Sequence, residues 1–573
     1  MKKIYIVIAA LALSAGTFAQ TADSLLRRQM ELERDFNPTL LDADKINSLP
    51  ALREPTVQKA NTNYSSWAGR TTPPLEIALP RPGNIMTGIP FSAKKGYLLF
   101  NAGNYANMDG AFGYRLVEDE KNNLSFTFIH NSTNGDINYI QEVGSKSNRA
   151  YLMDNKGSLG YRHRADALTL NIDLSYLHSL FNYYGNRFEN SPFYEDENQR
   201  LGVLDAKVGI ASHGSDLLNY RGYINFRNFS TKFGEQLNSE GIKGSDINAM
   251  VGFDKPFGDT QNKIGIDGKI HTTFYDGDIN NYYLLNASPY ITFGAQSSFA
   301  KLGVDVLFQN STGTRARVAP NVKAQWAVTE HSSLYANVHG GFSNNTFLEM
   351  IQESRYISPY ANVNPSYSII DLIAGAKIGE ISGFRFDIFG GFKKTDDEHF
   401  LILNGQNGEP EYVGGPPTGP YREVLRPVYG DLSHAHIGGM IQTNIWAPLD
   451  ISLRLKKNFY NLDHITVDGV RVDEAKAYNK PGFEVDLRAA FTLTDFLRFT
   501  ANYYFAGDRW SYYEGANTQM DNINDLNAGA LYQINDAFSI NLRVNNLLAQ
   551  KYDIWYGYPA QGLNASGGFT FRF

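Results

Sequence analysis

The chain contains no cysteine among its 573 residues. That removes disulfides, thiol catalysis and thiolate metal sites together. Past the first twenty residues it has no run of about 18 consecutive apolar residues, the length that a membrane-spanning helix needs. Its mean hydropathy of −0.34 likewise excludes a helical membrane protein. It does not exclude a membrane barrel, whose lipid-facing and lumen-facing residues alternate and average out. Net charge is −7 with no basic tract, so no nucleic-acid partner is expected. No Gly-x-Ser-x-Gly marks a nucleophile. His434 and His436 offer two imidazoles with no third ligand nearby in sequence. Asp396, Asp397, Glu398 and His399 form an acidic cluster, expected to be solvated in a loop with at most weak calcium affinity. Asp42, Asp44 and Asn47 mimic a fragment of a calcium loop whose glycine and distal glutamate are missing. The glycine pair Gly340-Gly341 is assigned to strand curvature. No enzyme, metal or cofactor is expected.

What is abundant is aromatic and small: 35 tyrosines, 36 phenylalanines and 52 glycines. Residues 1–19 read as a secretory signal, with Lys2 and Lys3 ahead of a short apolar run and Thr17, Phe18 and Ala19 before the cut. Residues 20–95 are broken by repeated proline, which forbids long helices and central strands. They read as an irregular arm, in the periplasm or the barrel lumen. Its apolar anchors, Phe36 and Ile46 among them, exceed what a solvated linker needs.

Residues 96–573 repeat one pattern, in which stretches of alternating apolar and polar residues are joined by short, then long, connections. Leu302, Val304, Val306 and Phe308 alternate with Gly303, Asp305 and Leu307. Phe483, Val485 and Leu487 alternate with Glu484, Asp486 and Arg488. Charges between apolar neighbours are costly in a sandwich core and cheap against a wet lumen. Ten tight connections fall near 118–122, 164–166, 212–216, 258–262, 295–298, 329–332, 379–383, 447–450, 493–496 and 534–537. Eleven others fall near 105–110, 131–148, 181–200, 230–244, 276–281, 310–315, 342–366, 394–432, 461–482, 507–522 and 548–562. Ten plus eleven connections make 22 strands. Residues 424–429 are left open as an extra strand or a hairpin inside a loop. The fold class is therefore all-β, a transmembrane antiparallel β-barrel of about 22 strands, with short periplasmic turns and long external loops. Tyr183-Tyr184, Tyr282-Tyr283, Tyr503-Tyr504 and Tyr512-Tyr513 lie at strand ends, where aromatic girdles meet headgroups.

The final strand places Phe569, Phe571 and Phe573 on one face and Thr570 and Arg572 on the other. An aromatic strand at a C-terminus resembles the insertion signal of bacterial outer-membrane barrels. Residues 96–573 resemble the barrel of a TonB-dependent receptor, on three stretches: residues 544–553 (VNNLLAQKYD), Gly557-Tyr558-Pro559, and residues 562–573. Tyr429-Gly430-Asp431, followed by residues 437–450, is similar to one of that family's late strands. Phe36, Asn37, Pro38, Asp42, Asp44, Lys45, Ile46, Asn47 and Pro50 resemble a short N-terminal motif on plug-less relatives in Bacteroidota. The family's receptors carry a plug of well over a hundred residues. Only 95 − 20 + 1 = 76 residues are available here, so a barrel lacking a plug is expected, its wide lumen filled by the arm, by infolded loops or by a partner. The resemblance implies an outer-membrane location with the arm in the periplasm. It implies contact with outer-membrane lipid and lipopolysaccharide, and with the barrel assembly machinery through Phe569, Phe571, Arg572 and Phe573. A periplasmic or outer-membrane protein partner is expected on residues 20–95, through the motif just named. The functional expectation is a subunit or accessory of an outer-membrane complex for transport, secretion or barrel assembly. The alternatives are a self-gated nutrient channel or porin, and a surface binding protein using its long loops.

Overall fold

The computed structural model describes residues 94–573 apart from 141–145, 186–197, 215–216, 235–239, 259–261, 277–279, 295–296, 312, 359–362, 382, 404–423, 444, 447 and 468. The docking motif from Phe36 to Pro50, the signal and the question of a plug all lie outside these residues.

The alternating stretches form one 22-stranded antiparallel sheet. Each barrel strand pairs with its neighbours in sequence, and the first, Gly96–Gly103, pairs with the last, Asn564–Arg572, from Tyr97↔Arg572 to Gly103↔Ser566. The Gly96 N–H donates to the Phe573 carbonyl at 2.8 Å, and the Phe573 N–H donates back to Gly96 at 3.0 Å. No sheet edge is left at that join. The ten tight turns all fall on one end and the eleven other connections on the opposite end, as the sequence pattern predicts.

The period of two sorts the side chains. In the strand Phe299–Asn310, Leu302, Val304 and Phe308 point outward and are exposed, while Asp305, Leu307 and Gln309 point inward and are buried. The outer face is a continuous belt of such residues, including Ile264, Leu285, Ile388, Ile437 and Phe459. Soluble proteins rarely expose an apolar patch larger than a few hundred Å²; a bilayer solvates such a belt. Among the described residues no helix is long and apolar enough to cross a membrane.

Two expected loops are partly strand. Residues 394–432 rise as the tallest hairpin, Phe384–Leu403 against Leu425–Thr443, with pairing resuming past a bulge from Glu398↔Gly430 to Leu403↔Leu425. Residues 424–429 are therefore no extra barrel strand. The alternation simply continues beyond the membrane because Phe400, Ile402 and Val428 join a buried cluster with Leu462, Ile465 and Tyr478. At about 3.4 Å per residue a 20-residue strand is more than twice the span of the hydrocarbon core. The stretch 131–148 behaves likewise, with strands running to Asn138 and restarting at Ser147. Its Asn, Thr and Gly content reads as loop, but a hairpin outside the membrane needs only backbone pairing.

The wall has one overlap. Strands Thr314–Thr329 and Ser332–Ser343 pair only from Asn321↔His339 downward. Above that, Gly341–Ser343 stays paired with Ser366–Ser368 alone. Gly341 has φ +135°, which a residue with a side chain rarely adopts. The bulge there tucks the tops of the two later strands inside their predecessor. Phe342 and Tyr367 then pack against Leu307 and Ala319, and the Tyr367 hydroxyl donates to the Val318 carbonyl at 3.0 Å. Pro320 stands at the fork, where its missing N–H leaves no donor unpaired.

Closure sets a steric demand. Gly568 is so close to the first strand that a Cβ would collide with the Phe100 carbonyl and the Asn101 side chain. Gly157 has open space around it. Gly568→Val should lower the fraction of protein that reaches the heat-modifiable, folded form on gel electrophoresis, at a cost of about 1–3 kcal/mol or more. Gly157→Ala should fold as the wild type does.

Candidate functional site

The connection between Ser332–Ser343 and Ser366–Ile381 is long and reads as polar loop, yet it holds Phe347, Leu348, Met350 and Ile351. Those four are buried on a helix, Phe347–Glu353. Thr346 caps it: the Glu349 N–H donates to the Thr346 hydroxyl at 3.3 Å and the Thr346 N–H donates back to the Glu349 carboxylate at 3.1 Å. So short a helix is marginal by itself. Its position comes from packing: Phe347 stacks on Phe229 at 6.2 Å, and its N–H donates to the Tyr275 hydroxyl at 3.0 Å.

From the helix the chain continues across the mouth of the barrel. Arg355 makes a two-pronged ion pair with Asp154 of the strand Ser147–Arg164, both contacts at 3.2 Å. Its guanidinium lies over Phe181 at the end of the next strand. Tyr356 stacks face to face on Tyr558 with centroids 4.1 Å apart and the rings 17° from parallel. Tyr184 meets both rings edge-on, and its hydroxyl donates to the Pro559 carbonyl at 2.9 Å. The Tyr139 hydroxyl donates to the carbonyls of Tyr184 and Gly185. Ile357, fully buried, forms a parallel bridge to Leu425 on the tall hairpin. A connection that starts at the thirteenth strand thus holds the fourth and fifth, near the far side of a ring of 22, and the last loop of the chain. The result is a roof over the loop end.

Two polar clusters secure it. Arg509, completely buried, donates to the carbonyls of Asp553 at 2.8 Å and Ile554 at 2.7 Å. Burial pulls its pKa down to about 10, still well above neutrality, so it stays charged. Burial pushes the Asp553 carboxyl up to about 6, against the Gly557 N–H and Arg509 that hold it down. In the tall hairpin, Glu398 is buried between Lys480 at 2.8 Å and Lys393 at 3.4 Å. His399 Nε2 contacts the Glu353 carboxylate at 2.7 Å, latching the end of the roof helix. The expected solvated acidic loop is therefore corrected: Glu398 and His399 are tied into the roof, because the hairpin carries them up against residues 353 and 480.

The other sequence-derived positions fall as follows. Phe571 and Phe573 are exposed on the outer face, and Phe569 stacks on Phe538 at 5.7 Å. Arg572 is buried on the inner face. His434 and His436 share a face with ring centroids 5.3 Å apart, and His434 Nε2 lies 3.0 Å from Asn458 Oδ1. Among the described residues no group of three His, Asp or Glu could hold a metal. Of the tyrosine pairs assigned to girdles, Tyr283 does face outward, against Phe274. Tyr183, Tyr184, Tyr282, Tyr504 and Tyr512 are buried instead. Sequence reading missed Arg355, Tyr356 and Asp154. The signal present was an aliphatic helix pattern with a capping box inside an apparent loop.

The His399–Glu353 latch has a pH dependence. Burial pulls the imidazole pKa down, but the carboxylates of Glu353 and Glu398 outweigh burial and the opposing Lys480, and the net shift is upward. A raised value stabilises the closed roof fully below the ordinary histidine range near ~6.5, and the gain is lost as pH rises through the raised value. Hydrogen-exchange protection over residues 347–358, corrected for the intrinsic base catalysis of amide exchange, should therefore fall with rising pH in the wild type. In Glu353→Gln that fall should be smaller, because only Glu398 is left to raise the imidazole.

No protein-family model matches the chain, and no curated protein sequence matches it. Solved structures do. The siderophore receptor PirA from Acinetobacter baumannii superposes with a TM-score of 0.63 at 11% identity, over 84% of this chain and 81% of that one. The ferric enterobactin receptor PfeA from Pseudomonas aeruginosa, as a point mutant in complex with enterobactin, gives 0.61 at 11% identity over 84% and 82%. FpvA of P. aeruginosa, bound to heterologous pyoverdines, gives 0.59 at 12% over 84% and 72%. The fold is that of the TonB-dependent siderophore-receptor barrels of the outer membrane.

Proposed function

We propose that the chain is a non-enzymatic outer-membrane transport barrel that closes its own loop end and opens when a ligand or partner displaces the roof. The observation that carries this reading is the span of residues 344–358 across the mouth, fixed at Asp154, Tyr558 and Leu425. A permanently open porin has no use for a loop held by a half-buried ion pair and a tyrosine stack. The likeness in fold to barrels named as siderophore receptors supports transport as the class of activity. Of the functions weighed from sequence, this is the self-gated alternative, placed ahead of a purely accessory subunit.

Planar-bilayer recording tests it. The wild type should show little conductance. Removing one partner of the Arg355–Asp154 pair leaves the other charge partly buried and unpaired, which we set at about 2 kcal/mol, or roughly thirtyfold in the open-to-closed ratio. Arg355→Ala should thus produce frequent large openings, and a wild type that conducts as freely as the variant would remove the gate.

A protein partner belongs to the proposal too, docking in the periplasm on residues 20–95 through the Phe36–Pro50 motif. Its support is the number of apolar anchors there. Deleting residues 20–93 should abolish co-purification of that partner while leaving the barrel folded. Phe569, Phe571 and Phe573 are proposed as the handle for the assembly machinery. Deleting Phe573 should lower outer-membrane insertion and leave export intact.

A further inference from the structure

On the outer face, below the middle of the wall, the strands Lys243–Phe257, Asn262–Tyr275, Tyr282–Gly294 and Phe299–Asn310 enclose a shallow open groove of about 750 Å³. Phe253, Ile264, Ile266, Pro289, Leu302 and Val304 line it. It lies where the ladder lapses. Pairing between the last two of these strands breaks off at Ala287↔Val306 and resumes at Tyr290↔Gly303. Pro289, in that interval, has no N–H to give.

Lys255 forms the turn-side rim of the groove. It sits directly across from Ile264, and like Phe253 and Phe257 it points outward by the period of two. It has no hydrogen-bond or ion-pair partner among the described residues. The nearby acid cannot serve it: Asp254 points inward, where Arg221 at 3.0 Å and Lys263 at 3.6 Å hold it. A lysine on the lipid face is costly near mid-bilayer and costs little at the interface. The level of the interface is marked here. Phe257 and Phe293, both exposed, meet edge to face at 6.3 Å one step nearer the turns. An outward cation at headgroup depth, at the turn-side end of an apolar trough, matches one chemistry: a phosphate with an acyl chain attached.

We propose that this groove is a specific phospholipid site in the periplasmic leaflet, with the acyl chain along Ile264, Ile266, Pro289 and Val304 and the headgroup phosphate on the Lys255 ammonium. The site rests on the barrel being embedded in the membrane with its short turns in the periplasm. It is independent of the roof and of its gating.

The test uses the full chain purified in mild detergent, with added phosphatidylethanolamine or phosphatidylglycerol, read by native mass spectrometry. Wild type and Lys255→Arg should retain one phospholipid after the detergent is stripped. Lys255→Glu and Ile266→Trp, the second filling the trough, should each weaken retention about tenfold. Heat-modifiable mobility checks that each variant is folded; the rim substitution leaves the core untouched, so the test survives if Ile266→Trp does not fold. Equal retention by wild type and Lys255→Glu would overturn the proposal. So would displacement of the lipid by glycerol phosphate alone, since that would make the trough irrelevant. Either result would leave the conductance of the barrel, and the gating proposal, unaffected.

Discussion

The rest of the structure depends on the absence of water in the hydrocarbon core. There every backbone N–H and C=O must find a partner within the protein. A sheet satisfies this only by closing on itself, so the pairing of Gly96–Gly103 with Asn564–Arg572 has the same standing as every other ladder in the wall. Closure dictates an even number of antiparallel strands, with the start of the first strand and the end of the last on one side. It dictates glycine at Gly568, where the first and last strands meet too closely for a Cβ. It also explains how the wall copes at a place where the rule is relaxed. Above Asn321 the wall overlaps instead of pairing, and Pro320 stands at the fork. Phe342 and Tyr367 fill the step with apolar contact, and a tyrosine hydroxyl serves the exposed Val318 carbonyl.

Beyond the membrane the constraint changes sign. Loops there are wet, and nothing in the bilayer requires them to fold. These nonetheless build a second core, from the helix Phe347–Glu353, the stem of the tall hairpin and the aromatic cluster around Tyr184, Tyr356 and Tyr558. Ordering a long loop costs about 1–2 kcal/mol per residue in backbone entropy alone. Burial of large apolar side chains at about 1.5–3 kcal/mol each offsets that cost only if many of them engage together. The roof is therefore cooperative. In the gate proposed above, the Arg355–Asp154 pair and the His399–Glu353 latch are the contacts whose loss would release it.

The wall was legible because its signal is periodic. Apolar residues at every second position, interrupted by turn residues, located all ten tight turns and all eleven loop-end connections. The roof was not, for a physical reason. Its contacts join residues hundreds apart, such as Arg355 with Asp154 and Tyr184 with Pro559, and no local pattern encodes which side chains meet across a lumen. Tyrosine pairs carry an ambiguous signal. Tyr283 and Tyr184 look alike in sequence, yet one faces lipid and the other lies under the roof, since strand ends serve girdle and loop core equally. Glu398 and His399 misled by their charge: an acidic cluster reads as solvated until a lysine from another loop, Lys480, is brought to it.

The central claim is that residues 344–358 are a gate. The chain has no cysteine of its own, so a single pair introduced as Tyr356→Cys and Tyr558→Cys can be bridged by a short cleavable thiol cross-linker and nothing else will react. Replacing the stacked rings loosens the roof, and the unbridged double variant should conduct in a planar bilayer. Bridging should silence it, and cleaving the linker should restore the openings in the same membrane. Conductance that is the same before bridging, after bridging and after cleavage would show that the path through this barrel does not run beneath the roof.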